Sequence, residues 1–352
     1  MLSNQIISWY LQNKRDLPWR KTKDPYQIWI SEIMLQQTKV ATVIDYFSRF
    51  LNQFPTISDL ANAEEQEVLK IWQGLGYYSR ARNLHAAAKT IQSEYNGVFP
   101  NSYKEILKLK GIGSYTAAAI ASFAFQLPYA AVDGNVYRVL SRIYGINLAI
   151  DSTEGKKYFQ NIASETMEKA PAEIYNQAII EFGALQCIPR NPKCEICPLS
   201  SQCFAYNAKQ VDQFPIKSKQ IKVKNRYFYY LFLSCENRFL IEKRKEKDIW
   251  ENLFQYPLIE CDKQVSTNEL IQTKEWEKLF ENLELVIRSV SEKVVHKLSH
   301  QNLHTTFIHI EINIDKLKNK NGYQVISYSE ISKYPFPKLI EDHLNKITKN
   351  NL

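Results

Sequence analysis

The sequence predicts a multidomain chain, with an all-α region over residues 1–210 and a small α/β domain over residues 227–350. Three observations carry this. A chain of 352 residues suggests about two domains at roughly 150 residues each. Composition changes near residue 210: nine of the ten glycines precede it and five of the six histidines follow it. Helical signals fill the first part, whereas aromatic and β-branched runs fill the second.

In the first part, Ile28 to Leu51 is a long stretch of helical apolar periodicity. Ser58-Asp59 precedes another helical stretch, with Glu64, Glu65 and Glu67 early in it. Pro100-Asn101-Ser102 opens a short helix, with Glu105 three residues after Ser102 in a capping-box pattern. Gly111 to Val132 has no charged residue; its length, two glycines and Pro128 fit a buried core helix better than a membrane span.

In the second part, Tyr227 to Leu233, Arg238 to Lys245, Gln255 to Cys261, Leu285 to Val295, Thr305 to Ile314 and Gln324 to Tyr328 favour strands of a mixed or antiparallel sheet. Ser266 to Leu283 and Lys338 to Lys349 favour helices. Between the domains, residues 211–226 read as a linker, basic from Lys217 to Arg226, that is either solvated or laid on an anionic surface.

The composition, 45% hydrophobic and 23% charged, excludes a mainly disordered chain. A net charge of +8 permits a polyanionic partner without requiring one. The first residues lack the basic and apolar regions of a secretory signal, so a cytoplasmic protein of bacterial type, without membrane attachment, is expected.

Six cysteines are too few for a disulfide scaffold. Four of them, Cys187, Cys194, Cys197 and Cys203, cluster within 17 positions. Four thiolates so close in sequence can meet at one centre, occupied by zinc or by a cubane iron–sulfur cluster. The residues alone leave that choice open. Leu109-Lys110-Gly111-Ile112-Gly113-Ser114-Tyr115-Thr116 is a tight turn leading into an Ala-rich helix. The free N–H groups of such a helix start suit a phosphate, although an ordinary helical corner has the same look.

Together, this hairpin, Val132-Asp133-Gly134-Asn135-Val136 and the cysteine spacing resemble the helix–hairpin–helix DNA glycosylases of the endonuclease III superfamily. The resemblance implies a 4Fe–4S cluster on the four cysteines, with Arg190 and Lys193 facing DNA phosphate. Bifunctional members carry a nucleophilic Lys two residues after the second hairpin glycine. Tyr115 stands there, and no Lys occurs between Lys110 and Lys156. A β-lyase therefore lacks its nucleophile.

Arg15-Asp16-Leu17-Pro18-Trp19-Arg20, Trp29 to Thr38 and Gly74 to Leu84 closely resemble the MutY family of adenine DNA glycosylases. Almost all of residues 1–204 shares that likeness. It implies a monofunctional base-excision enzyme acting, as a monomer, on adenine opposite 8-oxoguanine or guanine in duplex DNA. It also implies that Leu17, Trp19 and Arg20 surround the flipped base, with Arg15 beside them on the DNA. Gln37 and Tyr77 would wedge into the duplex, Thr38 and Leu75 would lie near the lesion base, and Gly111 and Gly113 would meet the backbone.

The chemistry is consistent with that likeness. Glu32 lies among Trp29, Ile30, Ile33, Met34 and Leu35, so it is either buried or on a narrow solvent-facing stripe. A buried carboxyl keeps its proton near neutral pH and suits a general acid for adenine N7. Asp133 precedes a helical run and is a good N-cap. Amide hydrogen bonds are expected to lower its pKa, leaving an anion to stabilise an oxocarbenium ion or bond to it briefly. Asn135 and Tyr115 complete the expected catalytic set.

Residues 225–350 resemble, more weakly, the Nudix-like C-terminal domain of that family, without the Nudix catalytic box. Leu298-Ser299-His300 matches its Phe-Ser-His loop, which implies that Ser299 and His300 sense 8-oxoguanine. His296, His300, His304 and His309 read as polar loop positions rather than a second metal site. Two rival functions are an endonuclease III-like lyase and a non-catalytic DNA-binding protein.

Overall fold

The structure, a computed structural model, describes residues 2–168, 170–218, 223–317 and 322–350. The chain divides into two compact units that are not linear in sequence: 1–63 with 83–220, and 64–82 with 221–352.

The helices in chain order are α1 (Leu2–Asn13), α2 (Pro25–Leu35), α3 (Val40–Gln53), α4 (Ile57–Asn62), α5 (Glu65–Ile71), α6 (Ser79–Glu94), α7 (Tyr103–Lys108), α8 (Ser114–Phe125), α9 (Gly134–Tyr144), α10 (Thr153–Met167), α11 (Ala172–Leu185) and α12 (Phe204–Asn207). A 3-10 turn at Pro18–Arg20 precedes α2. Among the described residues of the first unit the regular structure is helical, as expected from its sequence.

The periodic stretch from Ile28 to Leu51 is two helices, because the chain breaks after Leu35 and Gln37 takes φ +56°. α2 packs on α3 and α8 and buries residues all round, from Ile28 to Met34. α8 is buried from Thr116 to Ser122, as its lack of charge requires, and no described helix is long and apolar enough to cross a membrane. Ser102 caps α7 by accepting the N–H of Glu105, an interaction worth about 1 kcal/mol. The reciprocal half of the expected box is replaced: the Glu105 carboxylate instead binds the Tyr95 hydroxyl and Lys108.

The second unit holds β1 (Lys224–Cys235), β2 (Arg238–Lys243), β3 (Phe254–Gln255), β4 (Leu258–Cys261), β5 (Leu285–Val290), β6 (Val294–Lys297), β7 (Gln301–Ile312) and β8 (Tyr323–Ser327). It also holds α13 (Thr267–Leu270), α14 (Lys274–Phe280) and α15 (Lys338–Asn350). β1 is central, parallel to β7 and antiparallel to β2 and β4. Its side chains alternate between two cores. Phe228, Tyr230 and Phe232 face Leu339, Ile340 and Leu344 of α15, whereas Tyr229, Leu231 and Leu233 share a core with Leu270, Trp276 and Phe280. The mixed sheet thus lies between helical layers.

Segment 64–82 joins this unit through polar side chains. Gln73 donates to Glu341 at 2.8 Å and accepts the N–H of Phe336 at 3.1 Å. Lys70 donates to the Tyr334 carbonyl at 2.9 Å, and Arg82 pairs with Glu251 at 2.7 Å. The expected linker also ends earlier than residue 226. Lys224, Asn225 and Arg226 open β1, where Arg226 pairs with Glu260 and Asp248. Ser218 is tied to Asp151 of the first unit, and Lys219 to Lys222 lie outside the described residues.

Only one hairpin glycine is conformationally obligatory. Gly111 has φ +82°, and a Cβ there would stand 2.6 Å from Cβ of Asn83. Gly113 is the N-cap of α8 with φ −96° and open space where a Cβ would sit. Gly111→Ala should therefore cost about 1–3 kcal/mol in urea unfolding. Gly113→Ala should cost less than about 1 kcal/mol. Equal losses would contradict this assignment.

Candidate active site

A cavity of 540 Å³ opens in the first unit. Arg15, Leu17, Trp19 and Arg20 line it from the loop before α2, and Glu32 from α2 itself. Gln37 and Thr38 border it after α2, Tyr115 from the first turn of α8, and Asp133 and Asn135 from the start of α9. Three sequence-distant segments, 15–38, the start of α8 and the start of α9, thus bring most of the expected base-side residues together.

Glu32 is only 6% exposed. Burial pushes its carboxyl up to about 7, against a hydrogen bond from Tyr115 that favours the anion. Its Oε2 is buried without a hydrogen-bond partner. A buried carboxyl oxygen without a partner, on a residue that lines a cavity, marks a candidate proton donor or acceptor.

Asp133 is the N-cap of α9, as expected. Its Oδ1 accepts the N–H groups of Asn135 and Val136, each at 2.9 Å, and its Oδ2 accepts Nδ2 of Asn135 at 2.7 Å. The expected fall in its pKa does not occur. Burial outweighs these hydrogen bonds and the nearby Arg138 charge, so Asp133 is also raised. The two carboxyls differ in support rather than in sign, because Asp133 has several donors on its anion. Arg138 extends the chain by donating to Oδ1 of Asn135 at 2.8 Å and to the carbonyls of Gly183 and Cys187 at 2.6 and 2.7 Å.

Glu181 of α11 escaped the sequence reading. It is fully buried and bound by both guanidinium groups of the cavity-lining loop. Arg15 Nε lies 2.9 Å from Oε1, and Arg20 Nη2 lies 2.8 Å from Oε2. Burial alone would raise Glu181, but hydrogen bonds from Arg15 and Arg20 overcome it and hold the group at about 2. The signal was a single charge within the apolar run Ile179-Ile180-Glu181-Phe182, which a buried helix tolerates only with partners.

Cys187, Cys194, Cys197 and Cys203 line a second small cavity. Burial raises Cys197 to about 11, and neighbouring thiolates add to this. Backbone amides of Leu199, Ala205 and Tyr206 point at the sulfurs of Cys197 and Cys203, and Arg142 Nη1 lies 3.4 Å from Sγ of Cys187. This is a donor set for an anionic metal–sulfur body. Among the described residues, no three His, Cys, Asp or Glu side chains are placed to hold a single metal ion. In the second unit, His304 stacks on Tyr227, while His309 hydrogen-bonds Ser234.

Tyr77, Ser299 and His300 line a different cavity, of 450 Å³, within the second unit. The Tyr77 hydroxyl and Ser299 Oγ are hydrogen-bonded. Leu298 packs on the core beneath α15, so the leucine anchors the loop between β6 and β7. Trp250 and His296 pack edge to face and also line this cavity. Leu75 is buried and is not among the residues lining either cavity.

Residues 30–178 match the HhH-GPD superfamily base excision DNA repair proteins. Residues 187–203 match the iron–sulfur binding domain of endonuclease III, and residues 228–346 match the NUDIX domain. The chain is 40% identical over 324 residues to an adenine DNA glycosylase of Buchnera aphidicola subsp. Baizongia pistaciae, covering 90% of this chain and 88% of that protein. It is 42% identical over 217 residues to human adenine DNA glycosylase, covering 59% of this chain and 40% of that protein. Among solved structures, a thermostable thymine-DNA glycosylase superposes with a TM-score of 0.55 at 32% identity, over 59% of this chain and 95% of that one. Endonuclease III from a non-covalent DNA complex shares the fold, with a TM-score of 0.51 at 24% identity, over 59% of this chain and 94% of that one.

The shift of Glu32 has a consequence for stability. Its folded pKa of about 7 lies above the unfolded value, so the folded state binds the proton more tightly. The ionisation penalty of burying Glu32 is therefore absent below about pH 4 and grows as pH rises to about 7. Glu32→Gln should exceed the parent in stability by about 2–3 kcal/mol at pH 8 and match it near pH 4. Urea unfolding at both pH values checks this; a difference independent of pH would refute the buried-acid assignment.

Proposed function

The chain belongs to the adenine DNA glycosylases, and from that membership we propose that it flips and excises adenine paired with 8-oxoguanine or guanine, as a monofunctional enzyme. As a base-excision repair DNA N-glycosylase with an iron–sulfur binding domain, it acts on DNA and carries an iron–sulfur cluster. One observation carries the catalytic reading: Glu32 and Asp133 line one cavity of 540 Å³. That size is ordinary for a ligand site of roughly 300–1,000 Å³.

In the proposed reaction adenine leaves the stack at a cost of a few kcal/mol, least at a mismatch. Leu17, Trp19 and Arg20 border the base, and Glu181 fixes Arg20 for that task. Protonated Glu32 donates to N7. The C1′–N9 bond breaks with its electron pair passing to adenine, and the sugar becomes an oxocarbenium ion. Ionised Asp133 stabilises that cation or bonds to it briefly; its N–H donors and Arg138 support the anion. Water adds to C1′, releasing the Asp133 carboxylate where that bond has formed and passing its proton to the Glu32 carboxylate, and leaves an abasic site. Tyr115 is hydrogen-bonded to Glu32 and offers no amine for a Schiff base.

A 4Fe–4S cluster fits Cys187, Cys194, Cys197 and Cys203, because four sulfurs line one cavity with Arg142 and backbone amides beside them to support an anionic metal–sulfur body. When bound, it supplies iron–thiolate bonds that tie the 187–203 loop together. Arg190 and Lys193 lie on that loop, where they would meet phosphate. On the lesion side, Ser299 and His300 read the N7–H and O8 edge that guanine does not offer. Tyr77, bonded to Ser299, brings the wedge to the same place; Gln37 and Thr38 complete the duplex contacts, whereas buried Leu75 supports them from beneath.

Glu32→Gln should slow single-turnover adenine release by at least about 100-fold while mismatch binding persists. Asp133→Asn should slow it comparably, and a loss below about tenfold would leave Asp133 a cap alone. Ser299→Ala should lower the preference for 8-oxoguanine over guanine about fivefold, the loss of one hydrogen bond. An unchanged ratio of the two rates would place lesion reading elsewhere.

A further inference from the structure

Asp133 enters the cavity from the end of a non-helical connection, residues 127–132, that joins α8 to α9. A loop lacks the repetitive hydrogen bonds of a helix, so something else must fix where it delivers its last residue. Asn176 of α11 has this geometry. It is fully buried, and every polar atom of its amide is used. Oδ1 accepts the N–H of Ala131 at 3.0 Å, two residues before Asp133. Nδ2 donates to the carbonyl of Tyr129 at 2.8 Å and to Oγ of Ser122 at 3.0 Å. Ser122 donates in turn to the Ala119 carbonyl at 3.1 Å, which leaves its oxygen to accept from Asn176.

The fork has one workable orientation, because a flipped amide would set its NH2 against the N–H of Ala131. The remainder of α11 is committed to the same cavity. Glu181 holds Arg15 and Arg20, and a Cβ added to Gly183 would stand 2.7 Å from Cβ of Asn135. Asn176 and Gly183 lie only about 10 Å apart along a rigid helix at 1.5 Å per residue. α11 is therefore a common reference for the loop bearing Arg20, the start of α9 and the connection before Asp133.

We propose that Asn176 is a positioning residue for adenine excision, fixing the Asp133 carboxylate by clamping the backbone of residues 129 and 131 to α11. This rests on the reading that Asp133 acts on the sugar. Asn176 touches neither Asp133 nor the cavity, so its effect passes entirely through the backbone. A displacement near 1 Å at a reacting group can cost about 100-fold in rate.

The test uses cluster-loaded, full-length enzyme in excess over a duplex with one adenine–guanine mispair. It reads the rate constant of adenine release separately from its amplitude. Asn176→Ala should lower the rate constant about 10- to 100-fold. Binding of a duplex carrying a non-cleavable adenine analogue should stay within about threefold. Asn176→Asp keeps the acceptor for Ala131 but, when ionised, cannot donate to Tyr129, so it should also be slow. Ser122→Ala, which removes one bond of the fork, should cost less than either and guards against a folding failure. A merely structural residue would reduce the amplitude and leave the rate constant at the parent value in all three, which would overturn the proposal. Asp133→Asn is the reference: if it alone releases adenine within about tenfold of the parent rate, the catalytic reading of Asp133 fails independently of Asn176.

Discussion

Glu32 is a carboxyl held where water cannot solvate its anion, and the helical unit is built round that constraint. α2 is buried on all sides, so any ionisable group on it must be neutral, paired or facing a cavity. Glu32 meets the third condition. One oxygen is unpartnered, and Tyr115 hydrogen-bonds the carboxyl. The group is poised near neutrality by burial, at a cost to stability that the surrounding core must offset.

The other polar groups of the cavity are handled differently. Glu181 is as buried as Glu32, yet two guanidinium groups keep it ionised. Asp133 lies between them: burial raises it, while Asn135, Val136 and Arg138 oppose that rise. Three acids at one cavity thus obtain distinct protonation preferences from distinct hydrogen-bond environments. α9 then joins the site to the metal–sulfur loop, since Arg138 reaches the carbonyl of Cys187 and Arg142 reaches its sulfur.

Local chemistry was legible in the sequence wherever one short segment contained the whole signal. Ser102 as a cap, the left-handed Gly111, the charge-free α8, the alternation of β1 and the cysteine spacing are such cases. Long-range pairing was not legible. Arg15 and Arg20 find Glu181 more than 160 residues away, and no local pattern names that partner. Segment 64–82 reads as part of the helical region, yet Gln73, Lys70 and Arg82 bind groups of the second unit. Asp133 shows a different limit: its donors were visible as a cap, but the degree of burial that outweighs them emerges only from the packed structure. The break at Gln36 to Lys39 was legible but missed: four consecutive polar residues, Gln36-Gln37-Thr38-Lys39, interrupt the apolar pattern there.

The most direct test of the buried-acid account is the pH dependence of single-turnover adenine release between pH 5 and 9, with enzyme saturating and binding complete. A required proton on Glu32 predicts a constant rate at low pH and a decline above about pH 7, about tenfold per pH unit at the alkaline end. A rate that stays level to pH 9 would contradict it, because a carboxyl that has lost its proton cannot be the acid.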